Sequence, residues 1–485
     1  MKIVVFGASG YVGSNLVEAL LSAGIESLDL LAVSRNTKVL LARQWPGVEL
    51  HCADALVPET LPPVLAGADA AFYLVHSMAA GRGFDQLDVV AARNFAAAAE
   101  AAGVGRIIYL GGIIPPGSES PHLRSRAATG DTLREGAVPV IELRAGIIVG
   151  PGSAAFEVMR DLVNHLPVMV TPRWVRSRSS PIALQNVLYY LVELARSDTV
   201  FAGTYDIGGP EVLTYEEMML AYANQAGKRI RIVPVPLLTP TLSSWWLKLV
   251  TSVPKSIASA LIEGLEHDFV AADQTLLQLC PQKLLTFNES LAAVAQAEQE
   301  NTVTTRWVEG AFPLRDYNPD YSYYAKHAGA ELDTDASLQS CWQVILGIGG
   351  QRGYFFLDWL WRIREFLDWC VGGYGMRRQR RDPDELRVGD RVDSWRVIGL
   401  EPCARLTLKF GMKAPGAGVL EFQLAEHEHG EGCSISVRAY WHPAGVWGLL
   451  YWYTLVPAHL IIFDGMVKAI AARARVLDQA ALQSR

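Results

Sequence analysis

The sequence predicts an α/β protein: a doubly wound parallel sheet over residues 1–295, followed by a smaller α+β domain. Three observations predict it. Short β-branched runs alternate with apolar-periodic stretches through the first 150 residues, the rhythm of repeated strand–helix units. A glycine trio, Gly7, Gly10 and Gly13, lies between the first such strand and the first such helix. Beyond residue 390, closely spaced strands replace that rhythm, and one long apolar helix follows them.

Residues 2–6 are a β-branched run of the kind a parallel sheet buries on both faces. The turn Gly7-Ala8-Ser9-Gly10-Tyr11-Val12-Gly13 follows, and Leu16, Leu20 and Leu21 then set a helical period. Strand, glycine turn and helix form a dinucleotide-binding unit. Gly7 permits the tight turn, Gly10 admits a pyrophosphate to the backbone, and Gly13 lets helix and strand pack closely. The helix start, with Ser9, Tyr11 and Val12, offers N–H groups to the phosphates. The second strand, Leu28 to Val33, ends in Ser34-Arg35-Asn36. A site for NAD usually places an acid there to hold the ribose hydroxyls. Arg35, with Lys38 close behind, suits a 2′-phosphate instead, so NADP(H) is the expected cofactor and NAD(H) the alternative. Arg35 also reads as an ordinary solvated loop residue. The third strand, Val48 to Cys52, leads to Asp54-Ala55, and the fourth, Ala70 to Val75, leads to His76. An alanine-rich helix over 86–103 precedes a fifth strand, Arg106 to Leu110, ending in Gly111-Gly112; Val140 to Val149 is the sixth. Ligand is expected at the carboxyl ends of these strands.

These motifs, with Leu143-Arg144-Ala145-Gly146 through Gly150-Pro151, Pro181 to Val187 and Tyr205-Asp206-Ile207-Gly208-Gly209-Pro210, resemble the atypical and extended short-chain dehydrogenase/reductase (SDR) superfamily, near its NmrA-like members. The resemblance covers about 1–295 and implies a Rossmann fold with a substrate lobe over 151–295. It also implies that Asp54 and Ala55 lie beside the adenine, and Leu74, Val75 and His76 beside the nicotinamide-side ribose. The departures matter as much. Members with the usual chemistry carry a serine after the fifth strand and a Tyr-x-x-x-Lys pair on the next helix, where the tyrosine moves the proton. Here Gly111-Gly112 takes the serine position, and no tyrosine lies between Tyr109 and Tyr189. The nearest register match is His122-x-x-x-Arg126. His122 is the candidate proton donor, because imidazole titrates near neutral pH, and Arg126 the candidate ribose or substrate-anion contact. His122 also reads as a plain helix-start residue, Tyr109 as core, and Arg144 as either a buried structural cation or an anion contact.

Residues 296–335, polar and tyrosine-rich, read as an interdomain linker, and 336–480 as the second domain. Its strands are expected at Val392 to Val397, Arg405 to Phe410, Val419 to Leu424 and Ser434 to Trp441, with a helix over about 447–475. This order resembles the helix-grip fold of the START/polyketide-cyclase-like (SRPBCC) superfamily, which implies an open apolar cavity of roughly 300–1,000 Å³. Trp245-Trp246 reads as core or as a tunnel lining. Val446 to Phe463 is nearly all apolar, but Pro457 and His459 favour a buried or interfacial helix over a membrane span. The run Arg377-Arg378-Gln379-Arg380-Arg381 suits lipid phosphates or a solvated loop. His427-Glu428-His429 lacks a third ligand, so no metal is expected.

Half the residues are hydrophobic, enough for two cores, which excludes a disordered chain. A formal net charge of −7 argues against a nucleic-acid protein. Six scattered cysteines and a start that runs straight into a strand lead to the expectation of a reduced, cytoplasmic protein, with peripheral membrane contact as a variant. The function expected is an NADP-dependent oxidoreductase acting on an apolar small molecule held or delivered by the second domain. The alternative is a non-catalytic NAD(P)-binding sensor or assembly factor.

Overall fold

The computed structural model describes residues 1–35, 37–41, 43–75, 84–115, 120–235, 267–300, 325–370, 380–382, 384–427 and 432–483. The chain divides into two compact units, Met1–Ala311 and Phe312–Arg485.

The first unit is built on a seven-stranded parallel sheet. Its strands are β1 (Lys2–Phe6), β2 (Asp29–Ser34), β3 (Val48–Cys52), β4 (Ala70–Tyr73), β5 (Ile107–Gly112), β6 (Val140–Ala145) and β11 (Gly203–Ile207), in the order β11-β6-β5-β4-β1-β2-β3. The direction of winding reverses between β1 and β4, where a cofactor is admitted at the strand carboxyl ends. Alternation along β1 explains its composition. Ile3 and Val5 enter one core with α1 (Tyr11–Ser22) and α5 (Leu184–Arg196), while Val4 and Phe6 enter the opposite core with α2 (Phe84–Ala101). A strand buried on both faces has no place for polar side chains. α3 (Pro121–Arg134) packs beside α2, joined by the Ser125 hydroxyl, which donates to Asp88 Oδ2 at 2.8 Å.

The lobe after β6 contains three short strand pairs and the helices α4 (Ala154–His165), α6 (Tyr215–Gln225) and α7 (Phe287–Gln299). Phe156, Met159, Met218 and Leu291 form its core. A charged chain crosses that core. Glu157 meets Arg160 at 2.6 Å, and Arg160, only 2% exposed, meets Glu298 at the end of α7, also at 2.6 Å. Burial pushes the Glu157 carboxyl up to about 7, against the pull of Arg160. The Trp245-Trp246 pair lies outside the described residues.

The second unit is an antiparallel six-stranded sheet with a long helix across it. β14 (Lys326–Thr334) is one edge strand, and β19 (Cys433–Pro443), β18 (Gly416–Glu426), β17 (Arg405–Phe410), β16 (Trp395–Glu401) and β15 (Arg391–Val392) follow it in space. The linker expected over 296–335 therefore ends early, because residues 326–334 pair in continuous register with β19. An edge strand whose inward residues include Ala328 and Ala330 lacks the β-branched signal that marks a strand in sequence. α8 (Leu338–Leu346) and α10 (Gly445–Gln483) cover the sheet.

α9 (Asp358–Cys370) is turned inside out. Its buried stripe carries Trp361, Glu365 and Asp368, while Trp359, Ile363, Phe366, Leu367 and Trp369 are 48% to 59% exposed. The first half of α10 repeats the theme: Leu449, Trp452 and Phe463 are buried, but Trp447, Leu450, Leu460 and Ile461 face outward. From Asp464 onward its outer face carries charged residues, Asp464, Lys468, Arg473 and Arg475, with Val476 the one large apolar side chain exposed there among the described residues. Of the basic run, Arg380 is turned inward to the carbonyls of Leu346 and Ile348, and Arg381 pairs with Asp390 at 3.1 Å. Arg377 and Arg378 lie outside the described residues, as do Glu428 and His429.

Candidate cofactor and reaction site

The glycine turn occupies the point where β1 and β4 diverge. Gly7 sits at φ +100°, and a Cβ there would lie 2.7 Å from the Leu74 carbonyl oxygen. Only glycine meets both demands. Gly7 N–H and Ala8 N–H both donate to the Val33 carbonyl, at 2.9 and 3.1 Å, which fixes the turn to β2. Gly10 is the N-cap of α1, and no side chain caps that helix. Its first-turn N–H groups, including those of Tyr11, Val12 and Gly13, have no intrahelical acceptor and suit an anion. A Cβ on Gly13 would stand 2.3 Å from the Gly7 oxygen, so the helix rests directly on the turn. These residues form the cradle a pyrophosphate needs.

Other sequence-predicted residues gather round it. Ser9 Oγ and Ser34 Oγ share a hydrogen bond of 2.8 Å, and Arg35 is exposed just beyond. Asp54 Oδ1 accepts from Leu56 N at 3.0 Å, and Asn94 Nδ2 holds the Ala55 carbonyl at 2.9 Å, so this loop is shaped before any ligand arrives. Leu74 and Val75, half-buried, follow β4, with Leu74 N donating to the Phe6 carbonyl at 2.9 Å. His76 lies outside the described residues. The Tyr11 side chain turns away from this cradle toward Gly150, where a Cβ would come within 2.6 Å of its hydroxyl. Burial, and then Glu157, raise the Tyr11 phenol above its ordinary pKa.

If Arg35 meets the 2′-phosphate, the unmutated protein prefers NADPH to NADH, and Arg35→Ala loses about 10- to 100-fold of that preference. Isothermal titration with both cofactors checks it, and equal affinities before mutation would remove the role.

At the carboxyl end of β5, Gly111 and Gly112 leave the space a serine would take. The Arg126 stem crosses it: a Cβ on Gly112 would lie 3.5 Å from Arg126 Cδ and 3.7 Å from Nη1. Among the described residues no carboxylate pairs with this guanidinium, and its Nε is buried without a partner. Tyr109 is spent on structure. It is 4% exposed, its hydroxyl donates to the Arg126 carbonyl at 3.3 Å, and burial pushes its pKa up to about 12 although Arg126 pulls it down. His122, half-buried, lies one turn before Arg126 on α3. Arg144 is engaged by the buried Glu142, its Nε donating to Oε1 at 2.9 Å, and Arg134 meets the other carboxylate oxygen. Glu142 escaped sequence reasoning; its one signal was a carboxylate two residues before Arg144 in a strand whose other members are apolar.

In the second unit, the open pocket expected from the sequence is replaced by a cavity of about 30 Å³ between sheet and α10. That holds one or two waters. Phe410, Trp441 and Tyr451 fill the remainder, with ring centroids 5.2 to 5.6 Å apart.

Residues 7–133 match the NAD(P)H-binding family model, and residues 320–466 match that of a protein family of unknown function, DUF2867. The first unit is thus an NAD(P)H-binding domain. Among solved structures, triphenylmethane reductase of Citrobacter sp. complexed with NADP(H) is 20% identical, with 61% of this chain and 100% of that one covered and a TM-score of 0.50. NADPH-dependent quinone oxidoreductase of Escherichia coli complexed with NADPH is 19% identical, with 61% and 100% covered and a TM-score of 0.50. Likeness at this identity shows a shared fold. No curated protein matches the chain.

Proposed function

We propose that the chain is an NADP(H)-dependent oxidoreductase of the atypical SDR type, which reduces an apolar, electron-poor acceptor at the carboxyl ends of β4, β5 and β6. One observation carries this reading: the Arg126 guanidinium, without a carboxylate partner, lies over Gly112 where a conventional relative places its catalytic serine. The bound nicotinamide supplies a hydride. The chain supplies the cradle of Gly7, Gly10 and Gly13, a glycine floor with room for a flat acceptor, and a fixed positive charge. Tyr109 is already bonded and its raised pKa unsuits it to proton transfer at neutral pH. The fitting acceptor is therefore one whose reduced form is a stabilised oxyanion, as a quinone gives. It gains two electrons and one proton as hydride, Arg126 holds the oxyanion, and its second proton comes from His122 or water.

The test is NADPH consumption with menadione and, in parallel, with cyclohexanone, an unactivated ketone that needs a strong acid. Menadione should be reduced and cyclohexanone should not. Tight NADPH binding without turnover of menadione would favour the second reading, a non-catalytic NAD(P)-binding sensor, for which the missing Ser, Tyr and Lys speak.

The second unit supports a helix-grip (SRPBCC-like) reading through its curved antiparallel sheet and long covering helix. Its small cavity gives no support to its holding a molecule of quinone size, so delivery from that unit is not part of the proposal. Contact with lipid has a specific support. α10 is long and apolar enough to cross a membrane, but its Trp452–Phe463–Met466 face belongs to the core of the unit. A helix committed on one face lies on a bilayer rather than across it. The outward Trp359, Ile363 and Phe366 of α9 give the same unit a second exposed apolar face. The protein should float with phosphatidylcholine vesicles in a density gradient. Replacing these three residues by serine should abolish flotation while NADPH binding persists; unchanged flotation would remove α9 from the contact.

A further inference from the structure

Within the second unit, four buried polar atoms belong to residues lining one cavity, and none has a hydrogen-bond partner among the described residues: Trp361 Nε1, Arg364 Nε, Trp395 Nε1 and His459 Nδ1. They come from three elements far apart in sequence, α9, β16 and α10, so the fold rather than one segment assembles them. Buried donors without partners are rare in folded proteins, and each needs an explanation. The indole N–H groups can only donate, and so can a guanidinium.

Arg364 is the centre of the group. Its guanidinium lies 4.6 Å from the Phe410 ring centroid, 5.7 Å from that of Trp361 and 6.0 Å from that of Trp395. Aromatic rings thus surround the cation, and among the described residues no carboxylate pairs with it. His459 is packed between Trp452 and Phe463, with centroids at 5.2 and 5.4 Å. Burial, and then Arg364, lower its pKa to about 4, so at neutral pH it brings no second charge. A ligand group that accepts from the two indoles and the guanidinium and carries negative charge meets these needs, and the neutral imidazole can add a donor in one of its two tautomers.

We infer that this cavity is a carboxylate-binding site, in which Arg364, Trp361, Trp395 and His459 receive the anionic head of an apolar or aromatic acid. The free space of about 30 Å³ suits a carboxylate group and not a whole ligand. The apolar body of the acid then rests against Tyr440 and Tyr451, the half-buried tyrosines of the lining. Neutral molecules of the same shape would leave the guanidinium uncompensated and bind less well. Every residue in the site belongs to the second unit, so the inference does not rest on the proposed reductase chemistry.

Benzoate is the probe and benzamide its neutral counterpart. The full chain is titrated with each, without cofactor, and binding is read by tryptophan fluorescence and by calorimetry. Benzoate should bind saturably and at least about tenfold more tightly than benzamide, the margin a charge-assisted contact gives. Arg364→Met, which keeps the stem over Phe410, should erase that margin, whereas Arg364→Lys should keep part of it. In the unmutated chain, benzoate should also raise the unfolding temperature with concentration, by mass action, a readout independent of how the variants fold. Equal affinities for the two probes, or no benzoate binding at millimolar concentration, would overturn the inference and leave the donors to water.

Discussion

Gly10→Val should give a folded protein that no longer binds NADPH, whereas Gly13→Val should give one that folds poorly or not at all. The two glycines lie one turn apart in the same motif, yet their neighbourhoods differ. Gly10 has φ −75°, which any L-residue accepts, and a Cβ there meets nothing closer than the Gly7 oxygen at 3.2 Å. A valine asks the Gly7 carbonyl to give by only a few tenths of an ångström, but its methyls occupy the approach a pyrophosphate must take to the helix start. At Gly13 the same atom would be 2.3 Å from the Gly7 oxygen and 2.9 Å from Ala8 Cα, both backbone. Relief requires α1 to lift from the sheet, where it buries Leu16, Val17 and Leu20. Such overpacking costs about 1–3 kcal/mol in ordinary cores and more where backbone must move. Circular dichroism melting and calorimetry with NADPH separate the outcomes. Unchanged NADPH affinity in Gly10→Val would place the cofactor elsewhere.

Arg126→Met should lower kcat for a quinone acceptor by about 10²- to 10³-fold, the usual loss when one preorganised oxyanion donor is removed. Stability should barely change, because no carboxylate depends on this guanidinium among the described residues. NADPH affinity should fall by less than about tenfold, since the glycine turn and helix start hold the phosphates. Arg126→Lys should recover part of the rate by restoring the charge without the planar fork. A variant that keeps full turnover would remove Arg126 from the reaction, and one that loses NADPH binding and turnover in parallel would reassign it to the ribose.

The first unit was legible because its signals are local and redundant. β1 is apolar on both faces, the glycine spacing is unusual by chance, and Arg126 stands at a fixed register from His122. What remained hidden depends on contacts between distant segments. β14 reads as linker because an edge strand with alanines inward needs no β-branched run. α9 defies amphipathic reading, since its charged residues Glu365 and Asp368 face inward while Trp359 and Trp369 face out. The partnerless quartet around Arg364 joins residues nearly a hundred positions apart. Its members look like ordinary core aromatics until the fold brings them together. The resemblance of the second domain to a helix-grip fold implied a spacious cavity, whereas its large rings fill most of that space.

The ion pairs of Arg160 set the shortest chain that can stand alone. Glu298 belongs to α7, far downstream of the residues that make the nucleotide cradle, yet it neutralises a guanidinium sealed inside the lobe. A truncated form ending at residue 286 would remove one of the two carboxylates on that guanidinium and leave Glu157 to hold it, in a lobe opened to water. It would also strip Leu291 and Val294 from the lobe's core. One ending at residue 300 keeps both. Expression screens of the isolated first unit should therefore show a sharp threshold in soluble yield across α7, set by the core residues and the second carboxylate that this helix brings, at a point the nucleotide-binding motif gives no hint of.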